Sequence, residues 1–221
     1  KMNFKIKKGK MVGIVGGSGV GKTTITDLIL RLFQPSKGEV LIDGTNILEV
    51  GLEEWRKNIG YVSQDIFLKN GSIAENIRFY NEELSDADLV RAAKMADIHD
   101  FIKNLPDGFS TLVGERGVML SGGQRQRIIL ARILAKKPKI LILDEATSAL
   151  DNKSEVEIQE AIKKIKGHIT IIVIAHRLST VMHADKLLYV EGGKVIEEGN
   201  PQDLLKDESS RFSKVYNLVE I

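Results

Sequence analysis

Hydrophobic and polar positions along this chain repeat with two different periods, and the periods alternate between segments. MNFKIKKGKMVGIVGG alternates from Met2, turns at Lys8-Gly9-Lys10 and continues as a short apolar strand, Met11 to Val15, that ends at Gly16. After a glycine loop, TTITDLILRLF sets Ile25, Leu28, Ile29, Leu32 and Phe33 at helical spacing ahead of Pro35. GEVLIDGTN predicts a strand leaving through a turn at Asp43-Gly44, and IGYVSQ predicts another that closes on Gln64. From about residue 66 to 137 helical periods dominate, as in SDADLVRAAKMADIHDFIKNL, where Ser85 and Asp88 form an acidic variant of the capping box. Strands resume with KILILD (Lys139 to Asp144) and TIIVIAH (Thr170 to His176), and LLYVEGGKVIEEG predicts a hairpin turning on Gly192-Gly193.

This order predicts an α/β fold: a mostly parallel sheet built from residues 1–65 and 138–221, interrupted by a helical insertion over 66–137. The longest apolar runs, ILIL (Ile140 to Leu143) and IIVIA (Ile171 to Ala175), have strand length, well short of the roughly 20 residues that span a bilayer. The N-terminus lacks a signal-peptide pattern. Because the first residue is Lys1, the 221 residues are expected to be a piece of a longer polypeptide.

Composition changes this picture little. The net charge is +2 and the basic pairs are scattered, which argues against a nucleic-acid surface. With no cysteine, disulfides and thiolate metal sites are excluded.

The chemistry concentrates at the strand ends. Gly16, Gly21, Lys22 and Thr23 satisfy G-x-x-x-x-G-K-[ST] between a strand and a helix. Glycines permit a tight loop whose N–H groups face phosphate, Lys22 supplies a cation and Thr23 a hydroxyl for Mg²⁺. ILILDE ends a buried-type strand on two carboxylates: Asp144 to hold Mg²⁺ and Glu145 to polarise an attacking water. Gln64 and His176 close two other strands, so four strand ends carrying Gly16, Gln64, Asp144 and His176 would converge on one crevice. A second phosphate-ready helix start, LSGGQRQR (Leu120 to Arg127), places Ser121 as N-cap before two glycines.

Taken together, these residues resemble the nucleotide-binding domain of ATP-binding cassette (ABC) transporters, in the right order and over almost the whole chain. GGSGVGKTT looks like the Walker A loop, Gln64 the Q-loop, LSGGQ the signature motif, ILILDE the Walker B strand, SALD (Ser148 to Asp151) the D-loop and His176 the switch histidine. VGERG (Val113 to Gly117), just before the signature, is similar to the segment that in exporters meets the transmembrane coupling helices, and EATSALD and IAHRLST are similar to the exporter wording.

The resemblance implies a P-loop NTPase with an inserted helical subdomain and a shortened N-terminal antiparallel sheet. It implies ATP and Mg²⁺ as cofactors. Gly16, Gly17, Ser18, Gly19, Val20, Gly21, Lys22, Thr23 and Thr24 would bind ATP phosphates, Thr23, Gln64 and Asp144 would hold Mg²⁺, and Glu145, His176 and Gln64 would serve hydrolysis. A second copy packed head to tail would bring Ser121, Gly122, Gly123 and Gln124 to the same nucleotide, with Asp151 at the interface. A transmembrane domain is the implied partner near Gln64 and Glu115-Arg116, and nucleic acid is not. The domain would sit at the cytoplasmic face of a membrane as an exporter motor. Members of the family stack adenine on an aromatic upstream of the phosphate loop; this sequence starts too late to contain it, and Phe4 reads as a core residue. A chromosome-maintenance or DNA-repair ATPase shares the same cassette and is the alternative, although it predicts a long coiled coil or a basic groove that the sequence lacks. A regulatory module that only senses ATP would be expected to lack Glu145 or the histidine.

Overall fold

The computed structural model describes residues 2–65, 67–146, 150–175 and 177–219. Strand β1 (Met11–Val15) leads through the glycine loop into helix α1 (Lys22–Ile29), and a small hairpin of β2 (Leu41–Ile42) and β3 (Thr45–Asn46) follows. Helix α2 (Leu52–Lys57) precedes β4 (Ile59–Val62). Four helices then run in succession: α3 (Ile73–Arg78), α4 (Asp86–Met95), α5 (His99–Lys103) and α6 (Gly122–Ala135). Strand β5 (Ile140–Asp144), helix α7 (Asn152–Ile165) and strand β6 (Thr170–Ile174) rebuild the core, and β7 (Lys186–Glu191), β8 (Lys194–Gly199), α8 (Pro201–Lys206) and α9 (Arg211–Val219) complete the chain.

Six strands form one sheet in the order β4-β5-β6-β1-β7-β8, parallel except for the last pair. Alternation along each strand divides the core into two layers. Leu141 and Leu143, Ile171 and Val173, and Leu187 and Tyr189 join the larger cluster, with residues of α3 to α7 and α9. Val12 and Ile14, Ile142, Ile172 and Ile174, and Leu188 and Val190 join the smaller one with Ile25 of α1. Continuous apolar strands are what a parallel sheet covered on both faces requires.

Three expectations need correction. Met2 to Lys7 belong to no strand. Met2, Phe4 and Ile6 pack on the α1-side cluster while Asn3, Lys5 and Lys7 face solvent, so the alternation expresses one-sided burial without a pairing partner. The antiparallel pairing in the N-terminal half is the β2/β3 hairpin, which turns on Asp43 and Gly44, both at positive φ. Helix α1 stops at Ile29, and the chain turns through Arg31 at φ 55°, leaving Leu32 and Phe33 57% and 64% exposed. Trp55 ends it there, its indole N–H donating to the Ile29 carbonyl at 2.7 Å. The helical pattern after Ser85 forms as expected, as α4 and α5 separated where Asp97 takes φ 55°. Of the acidic capping box only one half forms: Asp88 N–H donates to Ser85 Oγ at 3.2 Å, and the Asp88 carboxylate accepts from the Ser85 hydroxyl at 2.8 Å instead of from the Ser85 N–H.

Candidate functional site

Parallel pairing brings the functional strand ends level. Ile14 is paired with Ile174, Ile174 with Asp144, and Val62 with Leu143, so β1, β4, β5 and β6 finish along one edge of the sheet. Ligands of open α/β sheets bind outside that edge.

Gly16 begins the phosphate loop pressed against the end of β7, and a Cβ there would lie 2.1 Å from the Val190 carbonyl oxygen, so only glycine fits. Gly21 takes the N-cap position of α1 at φ 101°, without any side-chain cap. The first intrahelical bond runs from Ile25 N–H to the Gly21 carbonyl, which leaves the amides of the preceding turn directed out of the helix start. Gly17, Ser18, Gly19, Thr23 and Thr24 are exposed there, and Val20 is half-buried against the α1-side cluster.

Lys22 is buried, and its ammonium donates to the Gly16 and Gly17 carbonyls, at 2.8 Å each. Burial lowers its pKa below the ordinary lysine value, while Glu145 and Asp144 act in the opposite sense. The loop cation and the two strand-end carboxylates therefore feel one another across the crevice. Asp144 is buried and accepts from the Tyr61 hydroxyl at 3.1 Å. Burial and the Asp144 charge push the Tyr61 phenol up to about 12. Glu145 takes φ 53°, and its N–H donates to the Ile174 carbonyl at 3.0 Å, fixing the backbone turn at the top of the sheet. The Asp144 carboxylate, held by a phenol, and the exposed hydroxyl of Thr23 in the first turn of α1 are hard oxygen donors of the kind Mg²⁺ takes. Among the described residues no group of three or more His, Cys, Asp or Glu could hold a metal by itself.

Gln64 lies two residues beyond β4 and is exposed. His176 and Ser148 lie outside the described residues. Asp151 caps α7, its carboxylate accepting from Ser154 N–H at 3.0 Å and Ser154 Oγ at 2.8 Å, and these bonds lower its pKa.

The second helix start is built differently from the first. Ser121 Oγ accepts from Gln124 N–H at 3.2 Å, and Gln124 Oε1 accepts from Ser121 N–H at 2.9 Å, a complete capping box. Two amides are thus satisfied internally, and Gly122 and Gly123 lie between them, before the first intrahelical bond at Arg125. Within this chain that start stands beside the N-terminus of α7: a Cβ on Gly122 would lie 3.2 Å from Leu150 Cδ2, and one on Gly123 2.6 Å from Ser154 Oγ.

Sequence reasoning did not single out Tyr61. The available signal was parity: Tyr61 is paired with Ile142, two residues before Asp144, so both side chains share one face of neighbouring strands. It also missed Glu155, which on sequence is an acidic residue in the first turn of a helix and is in fact buried.

The ABC transporter family model matches residues 1–148. Among curated relatives, ABC transporter B family member 2 of Dictyostelium discoideum is 50% identical over 202 residues, covering 91% of this chain and 14% of that protein. The alpha-hemolysin translocation ATP-binding protein HlyB of Escherichia coli is 48% identical over 217 residues, 98% of this chain and 31% of the relative. A solved structure described as a bacterial Atm1-family ABC exporter with ATP bound superposes with a TM-score of 0.86 at 42% identity, covering 98% of this chain and 38% of that one. The chain spans less than half the length of each of these proteins. With a family model over more than half its length, this chain belongs to the ABC transporter family.

Proposed function

We propose that the chain is the ATP-hydrolysing motor domain of an ABC exporter, with a catalytic core of residues 1–65 and 138–221 and a helical signature part of 66–137. The observation that carries this reading is the uncapped helix start after β1, with Lys22 bonded into its loop, on the same sheet edge as the strand end that carries Asp144 and Glu145. The names of HlyB and of the ATP-bound Atm1-family exporter support it, and the chromosome-maintenance alternative receives no support from these relatives.

In this reading the amides of Gly16 to Thr24 and the Lys22 ammonium take the triphosphate, the ammonium exchanging its loop carbonyls for phosphate oxygens. Thr23, Asp144 and Gln64 would hold Mg²⁺, whose charge would offset that of the phosphates. Tyr61 keeps the Asp144 carboxylate oriented. Glu145 takes a proton from water as that water attacks the γ-phosphorus, the bond to the β,γ-bridging oxygen breaks, and ADP and phosphate leave; His176 assists. Ser121, Gly122, Gly123 and Gln124 of a second copy close the site, the glycine amides facing the γ-phosphate, with Asp151 at the interface. A transmembrane domain docks near Gln64 and Glu115-Arg116, where Val118 and Met119 are 72% and 71% exposed, and places the motor at the cytoplasmic face. No helix among the described residues is long and apolar enough to cross a membrane.

Light scattering of Glu145→Gln with and without ATP tests the reading. ATP should convert monomer to dimer, and Ser121→Arg should prevent the conversion. ATP binding with a persistent monomer at high protein concentration would overturn the shared-site arrangement.

A further inference from the structure

The two chain segments that leave β5 and β6 carry Glu145 and His176 in sequence. One buried side chain joins them. Glu155, in the first turn of α7 and 6% exposed, accepts from the Arg177 guanidinium, from Ser179 Oγ at 3.0 Å and from Thr180 Oγ1 at 3.3 Å. Gln159 Nε2 adds a fourth donor at 3.1 Å. The second amino group of Arg177 reaches back to the Leu150 carbonyl at 3.2 Å, just before Asp151. A closed ring results: the segment after β6 holds α7 through Glu155 and holds the approach to α7 through Leu150.

This is an unusual place for a carboxylate if packing were its whole purpose. Taking a charge out of water costs more than an exposed ion pair returns, and an apolar residue of similar volume would hold α7 against the sheet as well. What the charged ring adds is direction, because Arg177 makes bonds from two amino groups at once and fixes the plane in which the chain passes from residue 177 to residue 180.

We propose that Glu155 is a positioning residue for hydrolysis: with Arg177 it ties residues 177–180 to the start of α7 and to Leu150, next to the chain positions that carry His176 and Glu145 in sequence. The inference rests on the roles proposed above for Glu145 and His176. Glu155 touches neither the phosphate loop nor Lys22, so the interactions that bind nucleotide in that reading are left intact when the ring is broken.

The test is steady-state ATP hydrolysis by the full-length protein as wild type, Glu155→Gln, Arg177→Ala and the double variant, with Glu145→Gln as the blank. Glu155→Gln keeps the volume and an acceptor for Ser179 and Thr180 while removing the charge that faces Arg177. Its kcat should fall about tenfold or more with KM for ATP changed less than about twofold, as expected when a supporting group is lost and the binding groups stay. Arg177→Ala should fall similarly, and the double variant no further than the worse single one, because both cut the same tie. If Glu155→Gln does not fold, Arg177→Lys, which keeps the charge but has one donor arm, should show an intermediate kcat at unchanged KM. A folded Glu155→Gln protein with wild-type kcat, parallel changes in kcat and KM, or multiplying losses in the double variant would each overturn the positioning role alone. A wild type that hydrolyses no ATP beyond the Glu145→Gln blank would instead overturn the proposed function, and this inference with it.

Discussion

Gly123 and Ser154 are packed so closely that a Cβ on the glycine would lie 2.6 Å from Ser154 Oγ and 2.7 Å from its Cβ. Ser154 is itself held by the Asp151 cap. The start of α6, with its Ser121-Gln124 capping box, is therefore seated on the start of α7. A glycine that the phosphate-ready motif invites one to read as a ligand contact is already required by packing inside a single copy of the chain.

Gly123→Ala should consequently destabilise the folded chain whether or not nucleotide is present. Overpacking of this kind costs about 1–3 kcal/mol, which for a domain of this size corresponds to about 2–4 °C of Tm per kcal/mol. Thermal unfolding without ATP checks it, and adding Ser154→Gly, which removes the two nearest atoms, should return part of the loss. An unchanged Tm in Gly123→Ala would leave the glycine explained by ligand approach alone.

Much of this was legible because the parallel sheet writes itself plainly. ILILD and TIIVI are continuous apolar runs, and each became a central strand with side chains in both core layers. The glycine loop, Lys22 and the Asp144-Glu145 pair were legible because their chemistry is local. The end of α1 was not, since Leu32 and Phe33 keep the helical spacing, while the turn at Arg31 and the bond from Trp55, 26 residues away from Ile29, stop the helix earlier. The N-terminal alternation reads as a strand from sequence because a period of two reports one-sided burial and says nothing of a pairing partner. Tyr61 and Glu155 depend on contacts 83 and 22 residues distant along the chain, to Asp144 and Arg177, and no local pattern encodes those.

Lys22→Met tests the cation of the loop. Hydrogen bonds from a charged donor contribute about 1.5–3 kcal/mol each, so ATP affinity by calorimetry should fall at least about tenfold. The fold should persist, because the methionine side chain fills the same buried path and the Gly16 and Gly17 carbonyls lie at the edge of an exposed loop. Retained affinity would mean that the amides of the helix start bind the phosphates without the ammonium.

The Tyr61 phenol, raised to about 12 by burial and by Asp144, has a definite signature at high pH. An acid whose folded pKa lies above its unfolded value of about 10 favours the folded state fully below that value, and the contribution is lost as pH rises from about 10 through 12. Tyr61→Phe should remove that part of the alkaline stability loss and delete one late tyrosinate absorbance step. It should also weaken Mg²⁺-dependent nucleotide binding, since Asp144 loses the hydroxyl that orients it. An unaltered late step in Tyr61→Phe would assign it to another tyrosine.

Arg132 ties the signature helix to the segment that follows Gln64, and it does so as a buried cation. Its guanidinium donates to the Asn76 carbonyl at 2.7 Å, to Asn76 Oδ1 at 3.2 Å and to the Phe67 carbonyl at 2.9 Å, and it lies 4.1 Å from the centre of the Phe79 ring. Burial lowers its pKa to about 10, so it stays charged near neutrality. Arg132→Met would keep the stem packed while leaving these acceptors without their donor, at about 1–3 kcal/mol for each one that stays buried. Urea unfolding should show a lower midpoint, and hydrogen exchange should rise around residues 67–79 before it rises in β5 and β6. Arg132→Lys should recover only part of the loss, because an ammonium cannot span both carbonyls in one plane. Wild-type stability in Arg132→Met would show that water reaches the acceptors, and that α6 is held to α3 by the apolar contacts of Ile73, Ile77 and Ile128 alone.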